Sequence, residues 1–191
     1  MLSILNSAAL FGIDAYHVHV EVDISSGLPA FDIVGLPDSA VKESRERVRT
    51  AIKNAGFSFP AKRITVNLAP ADTKKEGASF DLPIAAGILC CMDILPAIAL
   101  EEYFIAGELS LDGSVRPVNG ILPMVYQALQ SGIQKCIVPF DNAEEAALVR
   151  DMAVYPIQNL KQMVSLLQNE GKQQPFSVTA DLFSAKTPEQ E

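Results

Sequence analysis

The sequence predicts an α/β domain in which helices pack on a mixed β-sheet. Residues 15–24 alternate apolar and polar side chains, which is the period of a half-buried strand. From Pro37 the apolar spacing changes to that of an amphipathic helix, and strand and helix signals then alternate to residue 169. The 191 residues, 49% of them hydrophobic, suit a single domain at 1–169 and exclude a disordered chain.

The first strand signal has one apolar and one polar face. The polar face carries His17, His19, Glu21 and Asp23, and we expect it to lie in solvent. A Ser-Ser-Gly turn ends this segment, and residues 30–34 predict a partner strand for it.

The next segments predict a helix, a strand and a second helix. The first helix runs from Pro37 to Ala55 and stops at Gly56, because its apolar side chains share one arc of the helical wheel. Residues 64–68 predict a short buried strand. Proline is tolerated only in the first turn of a helix, so Pro83 predicts a second helix from about residue 80 to Met92.

The second half of the domain opens on a hairpin signal. Asp112-Gly113 predicts a tight turn between strands at 104–111 and 114–118. A helix at 121–131 and a strand at 135–138 follow.

The end of the domain is predicted to be helical. Asp141 and Glu144 resemble a capping box that opens a helix to Val149, and a last amphipathic helix covers 158–169. Residues 170–191 are rich in Gln, Lys, Pro, Ser and Thr and predict a flexible linker.

Membrane and secreted classes do not fit the composition. The longest apolar stretch, residues 82–100, is interrupted by Pro83, Asp93 and Pro96, and the N-terminus lacks the cationic region of a signal peptide. Three cysteines cannot all pair. The sequence therefore predicts reduced thiols, a cytoplasmic protein and no membrane partner.

The positive charge is concentrated in one segment. Nine of the fifteen basic residues lie between Lys42 and Lys75 with three acidic ones, so this segment carries +6 and the remainder −14. Eight of the nine are candidate nucleic-acid contacts: Lys42, Arg45, Arg49, Lys53, Lys62, Arg63, Lys74 and Lys75. The first four lie within about a quarter of the helix circumference.

Two other interpretations of this segment remain open. A basic helix face can simply be solvated and paired with acids four residues away, or it can contact an acidic neighbouring subunit. No aromatic residues interleave with the cations, so stacking on single-stranded bases is not supported. If DNA is the partner, its binding should be weak and independent of sequence.

Other chemical motifs are few. The chain has neither GxxxxGK[ST] nor GxGxxG, so no nucleotide cofactor is expected within it. His17 and His19 lack further residues at ligand spacing, so we expect surface histidines and no metal. Ser79 follows two lysines and is either a lysine-activated nucleophile or a helix cap, and composition favours the cap.

Three segments together resemble a known family. They are GLPDSAVKESRERVRTAIKNAGFSFPAKRITVNLAPAD at 35–72, KKEGASFDLPIAAGIL at 74–89 and GELSLDGSVRPVNGILP at 107–123. They resemble the N-terminal domain of the ComM/YifB family of bacterial magnesium chelatase-like AAA+ ATPases connected with competence, over residues 1 to about 167. The resemblance implies the fold of the Lon protease domain, a variant of the ribosomal S5 domain 2-like fold. It also implies an ATPase domain beyond the linker, where ATP and Mg²⁺ would bind.

The resemblance also bears on Ser79. Lon proteases pair a serine with a lysine, and the resemblance places Ser79 at the serine position and Leu122 at the lysine position. Leucine cannot accept a proton, so the resemblance implies a vestigial Ser79 and no catalytic residue.

The function implied is that of a non-catalytic domain in a hexameric DNA motor. Such motors drive branch migration in natural transformation and homologous recombination, and this domain would contribute DNA contact or ring assembly. One alternative is a residual Ser-Lys peptidase that uses Lys74 or Lys75 as its base. Another is a purely structural oligomerisation module.

Overall fold

The computed structural model describes residues 1–169 and 172–177. The strands are β1 (Leu2–Phe11), β2 (Asp14–Ser25), β3 (Ala30–Val34), β4 (Arg63–Ala69), β5 (Tyr103–Ile105), β6 (Glu108–Leu109), β7 (Val115–Arg116), β8 (Lys135–Pro139) and β9 (Ala153–Ile157). The helices are α1 (Ser39–Asn54), α2 (Asp81–Cys91), α3 (Ala97–Glu101), α4 (Ile121–Gln130), α5 (Ala143–Ala146) and α6 (Leu160–Gln168).

Seven strands form one mixed sheet in the order β3-β4-β2-β1-β5-β8-β9, which confirms the predicted fold class. β2 is antiparallel to both β1 and β4, and the other neighbours are parallel. The predicted pairing of residues 15–24 with 30–34 is wrong, because β4 lies between these strands. The reason is the crossover through α1, which returns the chain so that β4 pairs in parallel with β3.

The central strand β1 was not predicted. Ser3, Asn6 and Ser7 interrupt its apolar alternation. Ser7, Ala8 and Ala9 are nevertheless all buried, since Ala9 packs into the apolar cluster on one face of the sheet and Ala8 into the cluster on the other. Leu2 and Ile4 are exposed while Ser3 and Ser7 are buried, so the polarity of the side chains does not follow burial along this strand.

The helices form layers on the two faces of the sheet. α1, α2 and α6 contribute to the larger apolar cluster, and α4 and α5 to the smaller one around β5, β8 and β9. α2 packs against the sheet and α1, so ten of its eleven residues are buried. Within the described residues, no helix is both long and apolar enough to cross a membrane.

The predicted hairpin is present but shorter than expected. β6 and β7 pair across the Asp112-Gly113 turn as a separate two-stranded unit. The predicted strand at 104–111 is divided, because β5 leaves the hairpin and inserts between β1 and β8 of the main sheet.

The capping box predicted at Asp141 is wrong. This residue lies in a 3-10 turn, and no side chain caps the short helix α5. The Asn142 side chain instead accepts a hydrogen bond from the N–H of Val118 at 2.9 Å and donates one to its carbonyl at 3.0 Å. Glu145 accepts a hydrogen bond from the backbone N–H of Leu122, at 3.1 Å. The helix ends at Ala146, and the chain then turns into β9, which was also not predicted.

Most of the predicted linker at 170–191 lies outside the described residues. In the part that is described, the backbone N–H of Phe176 donates to the carbonyl of Val154 at 2.7 Å. Its ring packs against the smaller apolar cluster. The domain therefore keeps contact with the chain at least to this residue.

Alkylation of the native protein at about pH 8 should leave Cys90 and Cys136 unmodified. Burial raises the pKa of Cys90 to about 11 and that of Cys136 to about 12, so neither forms the reactive thiolate at this pH. Peptide mass spectrometry after iodoacetamide treatment, with a urea-unfolded sample as the control, measures this. Labelling of Cys136 at the same rate in both samples would show that the β8 environment is not as described.

Candidate functional sites

The segment before α2, residues 74–79, is called the serine segment, and backbone contacts hold it to two other parts of the chain. The Lys75 N–H donates to the Leu36 carbonyl at 3.0 Å, and the Asp38 N–H donates to the Lys75 carbonyl at 2.9 Å. The Gly107 N–H donates to the carbonyl of Ser79 at 3.0 Å, and its carbonyl accepts from Leu82. These bonds fix Ser79 between the start of α1 and the β5–β6 connection.

Ser79 lines a cavity of about 470 Å³, the serine cavity. The side chain is 6% exposed, and its hydroxyl makes no hydrogen bond to any described residue. Three carboxylates and an amide provide the remaining polar lining, and apolar side chains provide the rest. The polar residues are Asp38, Glu76, Glu108 and Asn119, and the apolar ones include Leu10, Val118 and Met124.

Leu122, at the lysine position that the resemblance implies, is not among the residues that line the serine cavity. Leu122 lines a different, largely apolar groove with Ile13 and Tyr126. Met124, two residues further along α4, lines the serine cavity and is 3% exposed. Two residues correspond to about 200° of helix rotation, so the two side chains point to nearly opposite sides of α4. The thioether of Met124, like the alkyl side chain of Leu122, is too weakly basic to accept a proton from a serine hydroxyl.

Neither lysine of the Lys74-Lys75 pair lines the serine cavity. Lys75 is fully buried, and its ammonium group donates to the carbonyl of Pro70. Burial lowers the pKa of Lys75, and the charge of Asp72 opposes that shift. Its inclusion among the DNA contacts is therefore wrong, because a buried ammonium group cannot reach a phosphate. Lys74 is exposed and pairs with Glu76 at 3.2 Å.

A buried polar network connects α1 with the serine segment, and sequence reasoning missed it. Asp81 is fully buried and accepts hydrogen bonds from Ser44 Oγ at 2.5 Å and Arg47 Nε at 2.7 Å. The Leu109 N–H donates to the same carboxylate at 3.1 Å. The hydrogen bonds to Asp81 raise the pKa of Arg47 above its ordinary value. The network therefore joins α1, α2 and β6 at Asp81, which lies two residues after Ser79.

Five of the predicted DNA contacts lie on and beside α1 where β3 and β4 begin, and we call them the basic surface. They are Arg45, Arg49, Lys53, Lys62 and Arg63. Arg49, Lys53 and Lys62 line one open cavity of about 350 Å³ with Phe59. Arg45 Nη1 donates to the Phe31 carbonyl on β3 at 3.4 Å, and Arg63 pairs with Asp32 at 3.5 Å.

Two aromatic rings lie beneath these cations, contrary to the expectation from sequence. The Arg49 guanidinium lies 6.0 Å from the centre of the Phe31 ring and 5.6 Å from that of Phe59. Lys53 Nζ lies 5.9 Å from the Phe59 ring centre. Contacts of this length between a cation and an aromatic face are attractive and orient the charge. Phe31 is distant in sequence from the helical cations, whereas Phe59 lies between Lys53 and Lys62 in the basic segment, where the sequence interpretation overlooked it.

The other two predicted contacts are less closely associated with this surface. Lys42 is exposed in the first turn of α1, and its carbonyl accepts from Arg45 Nε at 3.0 Å. Lys74 lies in the serine segment, where its carbonyl accepts from the Tyr16 hydroxyl at 2.8 Å. Arg49 also forms a salt bridge with Glu46 at 3.1 Å. Pairs of this kind within one helix are what the alternative interpretation, a solvated basic helix face, predicts.

His17 and His19 lie on the face of β2 opposite the valines, with ring centres 4.4 Å apart. His17 is half-buried and its Nε2 lies 3.0 Å from Asn6 Oδ1, while His19 is exposed. Burial and the neighbouring His19 lower the pKa of His17. Across residues 1–169 and 172–177, no group of three or more His, Cys, Asp or Glu side chains is placed to hold a metal ion.

Comparison with known proteins agrees with the resemblance. The chain is 47% identical over 171 residues to Competence protein ComM of Haemophilus influenzae and 45% identical to Uncharacterized protein YifB of Escherichia coli. In each case 90% of this chain aligns, and it spans about a third of the relative's length. It is 24% identical to Lon protease 2 of Bacillus subtilis over 93% of the chain and 35% of that protein.

A family profile covers most of the same region. The profile described as subunit ChlI of Mg-chelatase matches residues 20–142, which include α1, the serine segment, the β6–β7 hairpin and α4. The ComM and YifB relatives place the similarity over nearly the whole chain. The chain belongs to the family of subunit ChlI of Mg-chelatase, with ComM and YifB among its relatives.

Proposed function

We propose that the chain is the non-catalytic, Lon-like N-terminal domain of a ComM-type AAA+ DNA motor that acts in natural transformation and homologous recombination. Its part is to contact the DNA backbone through the basic surface. The observation that carries this is the convergence of Arg49, Lys53 and Lys62 on one open cavity in a chain whose overall charge is −8. In this proposal the motor is a hexameric ring in the cytoplasm, and ATP and Mg²⁺ bind elsewhere in it, because the chain has no GxxxxGK[ST] motif.

The chemistry of the basic surface suits phosphate better than bases. Lys53 and Lys62 are exposed and form no salt bridge with any described residue. The two phenyl rings already contact Arg49 and Lys53, so they orient cations and are not free to stack on bases. Backbone contacts of this kind position a protein on DNA without reading its sequence.

Titration of a labelled DNA duplex with the isolated chain, followed by fluorescence anisotropy, tests this proposal. We expect dissociation constants of about 10⁻⁴ to 10⁻⁶ M that do not depend on sequence. Four phosphate contacts should weaken binding by roughly two orders of magnitude between 50 and 200 mM salt. Absence of binding at low salt, or binding that salt does not weaken, would contradict the proposal.

The purified chain should hydrolyse neither casein nor fluorogenic peptides. No lysine or histidine lines the serine cavity, so the Ser79 hydroxyl lacks the base that a Ser-Lys peptidase needs. Leu122→Lys should also be inactive, because residue 122 lines the other groove. A serine-reactive fluorophosphonate probe gives a second measurement. Cleavage that disappears in Ser79→Ala would instead favour the peptidase.

The apolar groove favours ring assembly as a second contribution. Ile13, Tyr126 and Leu148 line it and are 90%, 56% and 53% exposed. Exposed apolar side chains grouped in this way are typical of interaction surfaces. We expect only weak self-association of the isolated chain, since the ring would depend on the ATPase domains. A stable hexamer at micromolar concentration in light scattering would assign assembly to this domain itself.

A further inference from the structure

The serine cavity contains an unused polar group. Ser79 is only 6% exposed, and its hydroxyl has no hydrogen-bonding partner among the described residues. Unlike Ser7 Oγ, which is enclosed by protein atoms and has no partner, the Ser79 oxygen is open to the cavity, where a ligand or solvent can meet it. Because this hydroxyl lines a cavity of about 470 Å³, a ligand could reach it.

The charge around this hydroxyl is negative. Asp38, Glu76 and Glu108 line the cavity, and no lysine, arginine or histidine does. Glu108 forms no hydrogen bond or salt bridge with its side chain to any described residue. The Glu76 pair with Lys74 is about two-thirds exposed on both sides, so it neutralises little of this charge. The half-buried Arg47 interacts electrostatically with Glu108, but its guanidinium hydrogen-bonds Asp81 and it does not line the cavity.

These features exclude several ligands. An anion such as phosphate would meet three carboxylates, and repulsion between like charges opposes its entry. A divalent metal needs several ligands converging on one point, and no such group occurs in the described part of the chain. A cation on an apolar stem fits, because the methylene groups can contact Leu10, Val118 and Met124 while the charge meets the carboxylates.

We propose that the serine cavity binds a lysine or arginine side chain presented by a polypeptide, without cleaving it. The carboxylates of Glu76 and Glu108 attract the cation, and the Ser79 hydroxyl accepts a hydrogen bond from the bound ammonium or guanidinium group. A cavity of about 470 Å³ lies in the range typical of ligand pockets and leaves space for residues beside the basic one. The basic residue could come from another protein or from a second copy of this chain.

Nuclear magnetic resonance titration with short peptides tests the proposal. The probe is a nine-residue Gly/Ser peptide with one central lysine, and the matched control carries norleucine at that position. We expect the lysine peptide to shift the amide resonances of Gly77, Ser79 and Glu108 at about millimolar concentration, and the control peptide to shift them much less. Equal shifts with both peptides, or no shifts with either, would overturn the proposal.

Variants of the cavity carboxylates test whether their charge, rather than the shape of the cavity, determines binding of the lysine peptide. Glu76→Gln/Glu108→Gln should weaken binding of the lysine peptide about tenfold or more, whereas Glu144→Gln, on the exposed face of α5, should leave it unchanged. Ser79→Ala should weaken it severalfold. Unchanged affinity in the double variant would overturn the proposal.

The two sources of the basic residue are also distinguishable. If a second copy provides it, the lysine peptide should reduce self-association of the chain in sedimentation velocity experiments. If another protein provides it, the sedimentation coefficient should not change while the resonances still shift. DNA binding is measured separately, so failure here leaves the proposal for the basic surface standing.

Discussion

Replacing Arg47 with alanine should lower the free energy of unfolding by about 3–5 kcal/mol. The substitution leaves the fully buried Asp81 carboxylate with only Ser44 and the Leu109 N–H as partners. An uncompensated buried charge is far more costly than the loss of a surface ion pair. Urea denaturation followed by circular dichroism measures the change.

Two comparisons make this test specific. Lys42→Ala, an exposed position on the same helix, should change stability by less than about 0.5 kcal/mol. Arg47→Ala/Asp81→Ala should cost less than the sum of the single substitutions, because the double variant no longer buries an unpaired charge. Additive costs in this cycle, or a small effect of Arg47→Ala, would show that the network does not hold α1 to α2.

Charge reversal at Lys53 and Lys62 should weaken DNA binding by the isolated chain by about tenfold or more at low salt. Both side chains are exposed and line the same open cavity, so their replacement removes phosphate contacts without disturbing the core. Arg45 and Arg49 are less suitable, because they also contact β3 and its neighbouring rings. Fluorescence anisotropy with a labelled duplex gives the affinity.

A variant of equal charge provides the control. Arg150→Glu/Lys161→Glu makes the same change in net charge at exposed positions outside the basic surface. It should weaken DNA binding much less than Lys53→Glu/Lys62→Glu. Equal losses in the two variants would mean that only total charge matters and that DNA has no defined site on this domain.

The fold was predictable where side-chain periodicity survived. β2, α1 and β4 each expose one face, and their predicted bounds agree with the structure within about two residues. β1 was missed because Leu2 and Ile4 occupy exposed positions while Ser3 and Ser7 are buried, so polarity does not follow burial along it. β9 and α3 were also not predicted. The order of strands required knowledge of the α1 crossover, which a single sequence does not contain.

The sites were less predictable because they depend on contacts distant in sequence. Asp81 lies two residues after Ser79 in an apolar helix. Only the packing of α1 shows that Arg47 neutralises the charge of Asp81 and that Ser44 donates a hydrogen bond to it. Lys75 and Lys74 look alike in sequence, but one is buried and the other is exposed. Leu122 and Met124 face different cavities because of the orientation of α4, which an alignment of short motifs does not fix.

The salt dependence of DNA affinity tests the central claim most directly. For the wild-type chain with four phosphate contacts, the slope of log affinity against log salt should be about −3.6 on duplex DNA. In Lys53→Glu/Lys62→Glu the slope should become less steep by about 1.8, since two contacts are lost. Equal slopes for the two proteins, or wild-type binding without salt dependence, would contradict the assignment of the basic surface as the DNA contact.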